Sequence, residues 1–509
     1  MMNRFFILFV ALLAGLGVAG FALDRWNREG QAITSGFENL DQLDLDDEPA
    51  YSLTPGQWDA GEQPIVYPLI GPDGNFYEQL GDESTPAGGI PEAYALQPDP
   101  IPADETGWIT RGAHGSPEGG DTTGDDEFKF RLTLNDSHIL ADDPIRNHCD
   151  RGASHLHIFF GNVHAGACST FEQLRNSAVQ AQNDMEVAST APGGPLNGTA
   201  YWMPAILVPD ALGDGVIRAK KVDAIPLYYQ IPDLNHANTF IDLPRGLNYV
   251  SGRDMDDPLK TRLKDAIAAS NAANADAGGP SGAYTYLGDG FVEWGCSSGG
   301  TPADNLEDLE CPAASRIIAE GHGAECWDGK NLSSPGGYGH VLPAIRVSAT
   351  NVDRTDVCPV GWFKFPVLVL KPQFGHLTDD DFKSWRLSSD DMFQDTMRAI
   401  PGYEDFVCKN GCSFHFDWFG AWQDDILKEG FRFCLGIPNT ADPESGEVPH
   451  GTGCNSNSMS LTSRLVGGNA PDGTRTPQVD LNHWYRGDEL GDYYAIPGGH
   501  TGPDSVHNH

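Results

Sequence analysis

Phe128-Lys-Phe-Arg-Leu-Thr-Leu134 sets apolar residues at 128, 130, 132 and 134 and polar ones between. Period two is the mark of a strand with one face buried, and here it opens the folded part of the chain. Further strand candidates follow at 155–160, 224–231, 342–349, 363–370 and 413–418, separated by long turn-rich connections. Helices are few. Asp257-Pro258 reads as an N-cap and first-turn pair, ahead of Leu259, Leu263 and Ile267 at helical spacing and Gly278-Gly279 as the stop. Ser169 with Glu172 reads as a capping box for a short helix carrying Leu174, and 423–434 is a third helical stretch. Distant strands, long loops and cysteines together predict a β-rich domain, mainly β or α+β: an antiparallel sandwich-like core with a few peripheral helices.

Outside that domain the chain changes character. The stretch 24–127 is acidic, lacks cysteine and is punctuated by Pro and Gly, and it is read as a stalk. The domain spans 128–437, and a Gly/Asn/Pro-rich tail fills 438–509. At the front, an apolar run from Phe5 to Leu23 follows Arg4 and ends at Asp24, which reads as an export signal over 1–23. Ala19, Gly20 and Ala22 suit a signal peptidase, while the length also suits a retained signal anchor. Either outcome puts the rest of the chain in a secreted or cell-surface location. Ten cysteines, confined to Cys149 through Cys454, fit disulfides in an oxidising compartment. Cys408 and Cys412 have a zinc-module spacing, but no second pair follows, so a disulfide is the better reading.

Charge narrows the partners. Lys and Arg number 32 against 72 Asp and Glu, a formal net charge of −40 that repels phosphate backbones. Nucleic acid is therefore excluded as a natural partner, and a membrane is met only through the N-terminal segment if it is not removed. The chain has no Gly-x-Ser-x-Gly elbow, phosphate loop, dinucleotide fingerprint or His-Glu-x-x-His motif.

The chemistry-bearing residues gather in three places. In Ser154-His-Leu-His-Ile-Phe-Phe-Gly-Asn162, strand geometry puts His155 and His157 on one face, roughly 7 Å apart, with Leu156 and Ile158 turned the other way. Phe414-His-Phe-Asp-Trp418 repeats the pattern with His415 and Asp417. If the two strands adjoin, three imidazoles and a carboxylate converge, a set able to hold a divalent metal or to pair an acid with a base. The structural alternative is that each histidine is tied to a nearby loop. Asp328, Lys330 and Asn331 flank a glycine turn, with His340 close behind in the chain, and form a second candidate pocket. Trp202, Trp294 and Trp385 could stack on sugars or fill a core, and Arg386 adds a guanidinium near one of them.

These segments occur in a familiar order: Asp143-Pro-Ile145, the His155/His157 run, Ser169-Thr170 with Leu174-Arg175, Tyr201-Trp-Met-Pro-Ala205, Tyr228-Tyr229, Cys326-Trp-Asp-Gly-Lys-Asn-Leu332 with His340, Trp385-Arg-Leu-Ser-Ser389 and His415-Phe-Asp-Trp418. In that order the chain resembles the secreted family catalogued as domain of unknown function nineteen ninety-six, over about 128–434. The resemblance implies an extracellular domain and carries no activity with it. An insertion near 266–284, the acidic stalk and the tail depart from the family pattern. Two functions of different class follow. One is a hydrolase or lyase acting on extracellular polysaccharide or envelope polymer, with His155, His157, His415, Asp417, Asp328 and His340 as catalytic candidates and Trp202, Lys330, Asn331 and Arg386 contacting substrate. The other is a non-catalytic surface protein that binds glycan through its tryptophans.

Overall fold

The computed structural model describes residues 65–70, 128–183, 189–191, 197–231, 240–279, 282–285, 292–347, 355–375, 381–424, 427, 489–490, 493–494 and 496. Two antiparallel sheets carry the architecture. Their strands are β1 (Phe128–Leu134), β2 (Asp136–Leu140), β3 (His157–Gly161), β4 (Ala200–Pro204), β5 (Ile225–Ile231), β6 (Asn248–Gly252), β7 (Val292–Cys296), β8 (Ile317–His322), β9 (Val367–Leu370) and β10 (His415–Phe419). The first sheet has the order β1-β5-β9-β8-β7, and the second has the order β2-β3-β4-β10-β6. The chain passes from one sheet to the other at Asn135, between β1 and β2.

The sheets face each other through large side chains. Tyr201 of β4 and Tyr229 of β5 meet hydroxyl to hydroxyl at 3.0 Å, and the Trp422 indole N–H donates to the same Tyr229 oxygen at 3.1 Å. At Gly321 of β8 a Cβ would sit 2.5 Å from the Phe416 ring of β10, so only glycine permits that approach. Alternation then assigns the faces of the second sheet. Ile158, Phe160, Met203, Phe416 and Trp418 belong to one face, and His157, Phe159, Trp202, His415 and Asp417 to the other. This second face is covered by Phe171 and Leu174 of helix α1 (Phe171–Asn183), together with Ala165, Leu140 and Ile145. The β-rich sandwich expected from the sequence is the fold observed.

Local departures have physical reasons. Strand 155–160 begins at His157, because Ser154 and Leu156 bond to neighbouring loops instead. Candidates 342–349 and 363–370 each break in two at Pro343 and Pro366, which lack the donor a ladder needs. The capping box of α1 lies one residue on: Gln173 N–H donates to Thr170 Oγ1 at 3.2 Å and Thr170 N–H to Gln173 Oε1 at 3.3 Å. Helix α2 (Thr261–Asp276) starts after Lys260, and Asp257 reaches it from outside by accepting from the Thr261 hydroxyl at 2.9 Å. Helix α3 (Asp390–Arg398) is absent from the sequence reading. Of the expected helix at 423–434, only residues 423, 424 and 427 lie within the described residues.

Two segments outside the expected domain join it. Tyr67 and Ile70, in the stretch read as a stalk, are fully buried against Leu263, Ile267 and Tyr284. Their backbone N–H groups donate to Ser270 Oγ at 3.3 Å and Asn274 Oδ1 at 2.9 Å, both on α2. Tyr493–Tyr494, from the tail, pairs with the strand Arg218–Lys220. Disulfides join Cys149 to Cys168, Cys296 to Cys311, Cys326 to Cys358 and Cys408 to Cys412. Cys434 and Cys454 lie outside the described residues, as do the apolar N-terminal run and the terminal histidines. Among the described residues no helix is long and apolar enough to cross a membrane.

Candidate functional site: a buried histidine cluster

The second sheet brings the two histidine segments together because β4 lies between β3 and β10. His157 pairs across the ladder with Pro204, and Trp202 stands opposite both Phe159 and Asp417. His155 precedes the strand, and its ring comes 4.1 Å, centroid to centroid, from His157 and 5.1 Å from His415. One ligand atom from each of the three imidazoles lies within 4.8 Å of the others. Asp417 Oδ2 is 4.0 Å from His415 Nε2. His157, His415 and Asp417 have no solvent exposure, and His155 retains 5%.

Hydrogen bonding sets the orientation of the rings. Nδ1–H of His157 donates to the Asp142 carbonyl at 2.9 Å, and Nδ1–H of His415 donates to the Ser413 carbonyl at 2.9 Å. Nε2 of each then bears the lone pair and has no protein hydrogen-bond partner. His138 and His340 differ. His138 engages Ser137 Oγ and the Ala165 carbonyl, and His340 engages Ser334 Oγ and the Asn248 carbonyl, each at 2.8 Å. His138 and His340 thus use both ring nitrogens, whereas His157 and His415 leave one open.

The same neighbourhood holds further buried polar atoms without a protein partner: both oxygens of Asp417, Oδ2 of Asp143, Nη1 of Arg146 and the Trp202 indole nitrogen. Each such group destabilises the fold by ~1–3 kcal/mol, so their concentration here opposes stability and calls for a functional reason. Burial pulls both His157 and His415 down to about 3, the neighbouring His157 adding to the effect on His415. Burial, reinforced by the Asp143 carboxylate, holds Asp417 well above the usual carboxylate range. His157 and His415 are therefore neutral at neutral pH, and burial favours the protonated form of Asp417.

Asp143 and Arg146 were not selected from the sequence as site residues. Asp143 forms a turn in which its Oδ1 accepts the N–H groups of Ile145 at 2.9 Å and Arg146 at 3.0 Å. The Asp143-Pro pair was the available signal, and it reads as a turn before it reads as a site. Arg146 donates to Asp256 at 3.0 Å, and its guanidinium lies 6.0 Å from the centre of the Tyr338 ring.

The other sequence candidates do not join the cluster. Asp328 caps its own turn: Oδ1 accepts the N–H groups of Lys330 and Asn331 at 2.9 Å, and Oδ2 accepts the Asn331 amide at 2.7 Å. His340 is held at Asn248, four residues along β6 from the Gly252 that pairs with His415, or roughly 13 Å at strand rise. Lys330 is exposed, and Arg386 forms a two-pronged pair with Asp391 at 2.7 and 3.3 Å. Trp202, Trp294 and Trp385 are buried, with Trp202 stacked on Phe159 at 5.3 Å. Asp390, Cys408 and Cys412 also converge, but the two sulfurs are bonded to each other.

Residues 143–422, more than half the chain, match the family described as domain of unknown function DUF1996. The chain belongs to that family. The DUF1996 match encloses Asp143, Arg146, His155, His157, His415 and Asp417, so the whole cluster falls inside the family domain. No curated protein and no solved structure matches the chain.

Proposed function

We propose that this DUF1996 chain is an exported enzyme, a hydrolase or lyase that cleaves extracellular polysaccharide or a related envelope polymer at the His155, His157, His415 and Asp417 cluster. The observation that carries this reading is the convergence of three imidazoles and a buried carboxyl, from segments some 260 residues apart, on one side of the second sheet. In this reading Asp417, whose protonated form burial favours, donates the proton, and His157 and His415 present Nε2 lone pairs to whatever enters. Four disulfides and the apolar segment at Phe5–Leu23 support work outside the cytoplasm. The net charge of −40 favours neutral or weakly charged polymer over polyanions.

The glycan-binding alternative needs exposed aromatic faces, and every tryptophan among the described residues is buried. Asp328 and His340 leave the proposed catalytic set, because Asp328 is engaged within its own turn and His340 is held by Ser334 and the Asn248 carbonyl. The test is a glycan panel assayed for product with wild type and with His157→Ala. Release of cleaved product by wild type, lost in a variant whose melting temperature stays within a few degrees, is the expected result. Binding without product in wild type would sink the enzyme reading.

A further inference from the structure

We infer that His155, His157 and His415 form a binding site for one borderline divalent transition-metal ion, of the zinc or copper class, with Asp417 and Asp143 as its charge-balancing neighbours. The inference uses the same cluster as the proposed enzyme but does not depend on the reaction. Three observations carry it. The ligand atoms of the three imidazoles already lie within 4.8 Å of one another. Zinc–imidazole bonds of about 2.0–2.1 Å require nitrogens a little over 3 Å apart, so small rotations of the rings close the site. The rings of His157 and His415 are preset by carbonyl acceptors on Nδ1, the outer support that metal-binding histidines ordinarily have, and their Nε2 atoms lack any protein partner.

Charge completes the case. Asp143, Asp256 and Asp417 all lie close to Arg146. A bound divalent ion gives the buried oxygens of Asp143 and Asp417, which lack hydrogen-bond partners, a positive neighbour. An all-imidazole ligand set selects the zinc or copper class over calcium and magnesium, which take oxygen ligands.

The test uses the full purified chain, stripped with chelator and dialysed into about 0.3 M NaCl to screen its acidic surface. Zinc and copper(II) are then titrated by calorimetry, with elemental analysis of the reloaded protein. About one equivalent per chain is expected, together with a rise in melting temperature. His157→Ala and His415→Ala should each lose affinity by at least 100-fold, and Asp417→Asn should lose about 10-fold, as an outer neighbour does. His322→Ala, outside the cluster, should bind as wild type does. Cobalt(II) loading of wild type supplies a readout that needs no variant, because a four-coordinate nitrogen–oxygen site gives intense visible bands. Wild type that takes up neither zinc, copper nor cobalt overturns the inference, and so does unchanged binding in the histidine variants. Metal bound without turnover on glycans keeps the site and removes the enzyme reading. Turnover in protein that takes up none of these metals keeps the enzyme and removes the site.

Discussion

Trp202 illustrates what a residue type leaves open. An indole stacks on a sugar or fills a core with equal chemical ease, and the sequence around Trp202 suits either use. The fold decides: Trp202 has no solvent exposure, lies on Phe159 and sits across the ladder from Asp417. Trp202→Ala should therefore destabilise the protein by ~3–5 kcal/mol in denaturant unfolding, as large-to-small changes in a packed core do. A variant of unchanged stability that had lost sugar binding would restore the platform role. The histidines were more legible. Period two predicts His155 beside His157 and His415 beside Asp417; the second pair shares β10, whereas His155 comes beside His157 from just ahead of β3. Their meeting was not legible, since it depends on β4 pairing with two strands far away in the chain. Asp143 was hidden for another reason. Half of its carboxylate is a turn acceptor, and only the position of the other oxygen shows a second role.

At the scale of elements, strands were read well and helix beginnings poorly. Alternation of buried and exposed positions survives any context, so β1 and β5 fall close to their expected limits. Caps depend on a single hydrogen bond, and Thr170 replaces Ser169 because it is the residue whose hydroxyl reaches Gln173. Helix α3 went unread because its nine residues carry an apolar stripe of only two buried side chains, Phe393 and Met397, and its first turn serves to tie segments together. Asp390, in its first turn, accepts from Leu387 N–H at 2.9 Å, Gly411 N–H at 2.8 Å, Ser413 N–H at 3.2 Å and the Ser413 hydroxyl at 2.6 Å. Those bonds fix Ser413, whose carbonyl orients His415. Burial outweighs the four donors and pushes Asp390 up to about 6 from 3.8. Its folded pKa is thus raised, so between those values the folded state binds the extra proton. Stability should fall as pH rises through that window, by up to ~3 kcal/mol, and level off above it. Unfolding measured at about pH 4 and about pH 7 should show wild type losing up to ~3 kcal/mol relative to Asp390→Asn, because His157, His415 and Asp417 contribute to both proteins alike, and equal slopes would contradict this account.

For the whole molecule, the sequence drew its boundaries from composition, and composition misses short segments that dock. Ile65-Val-Tyr-Pro-Leu-Ile70 is a short apolar run inside acidic, Pro-rich surroundings, and Tyr67 and Ile70 fill the face of α2 beside Leu263 and Ile267. At Gly279 the backbone of Ile70 approaches closely enough to exclude a side chain. A recombinant fragment starting at Phe128 would leave that apolar face uncovered. It should elute as aggregate on size exclusion, while a fragment starting near residue 60 should run as a monodisperse species. Equal behaviour of the two would show that the segment is dispensable.

The same segment also constrains the order of assembly. The acceptors for Tyr67 and Ile70 lie 203 and 204 residues further along the chain, so the segment emerges from the ribosome long before its dock exists. Until Asn274 has been synthesised, those six residues form an unprotected tether. A protease cutting there during that interval would strike before folding could shield it, and the finished protein would lose one wall of its core with every disulfide intact.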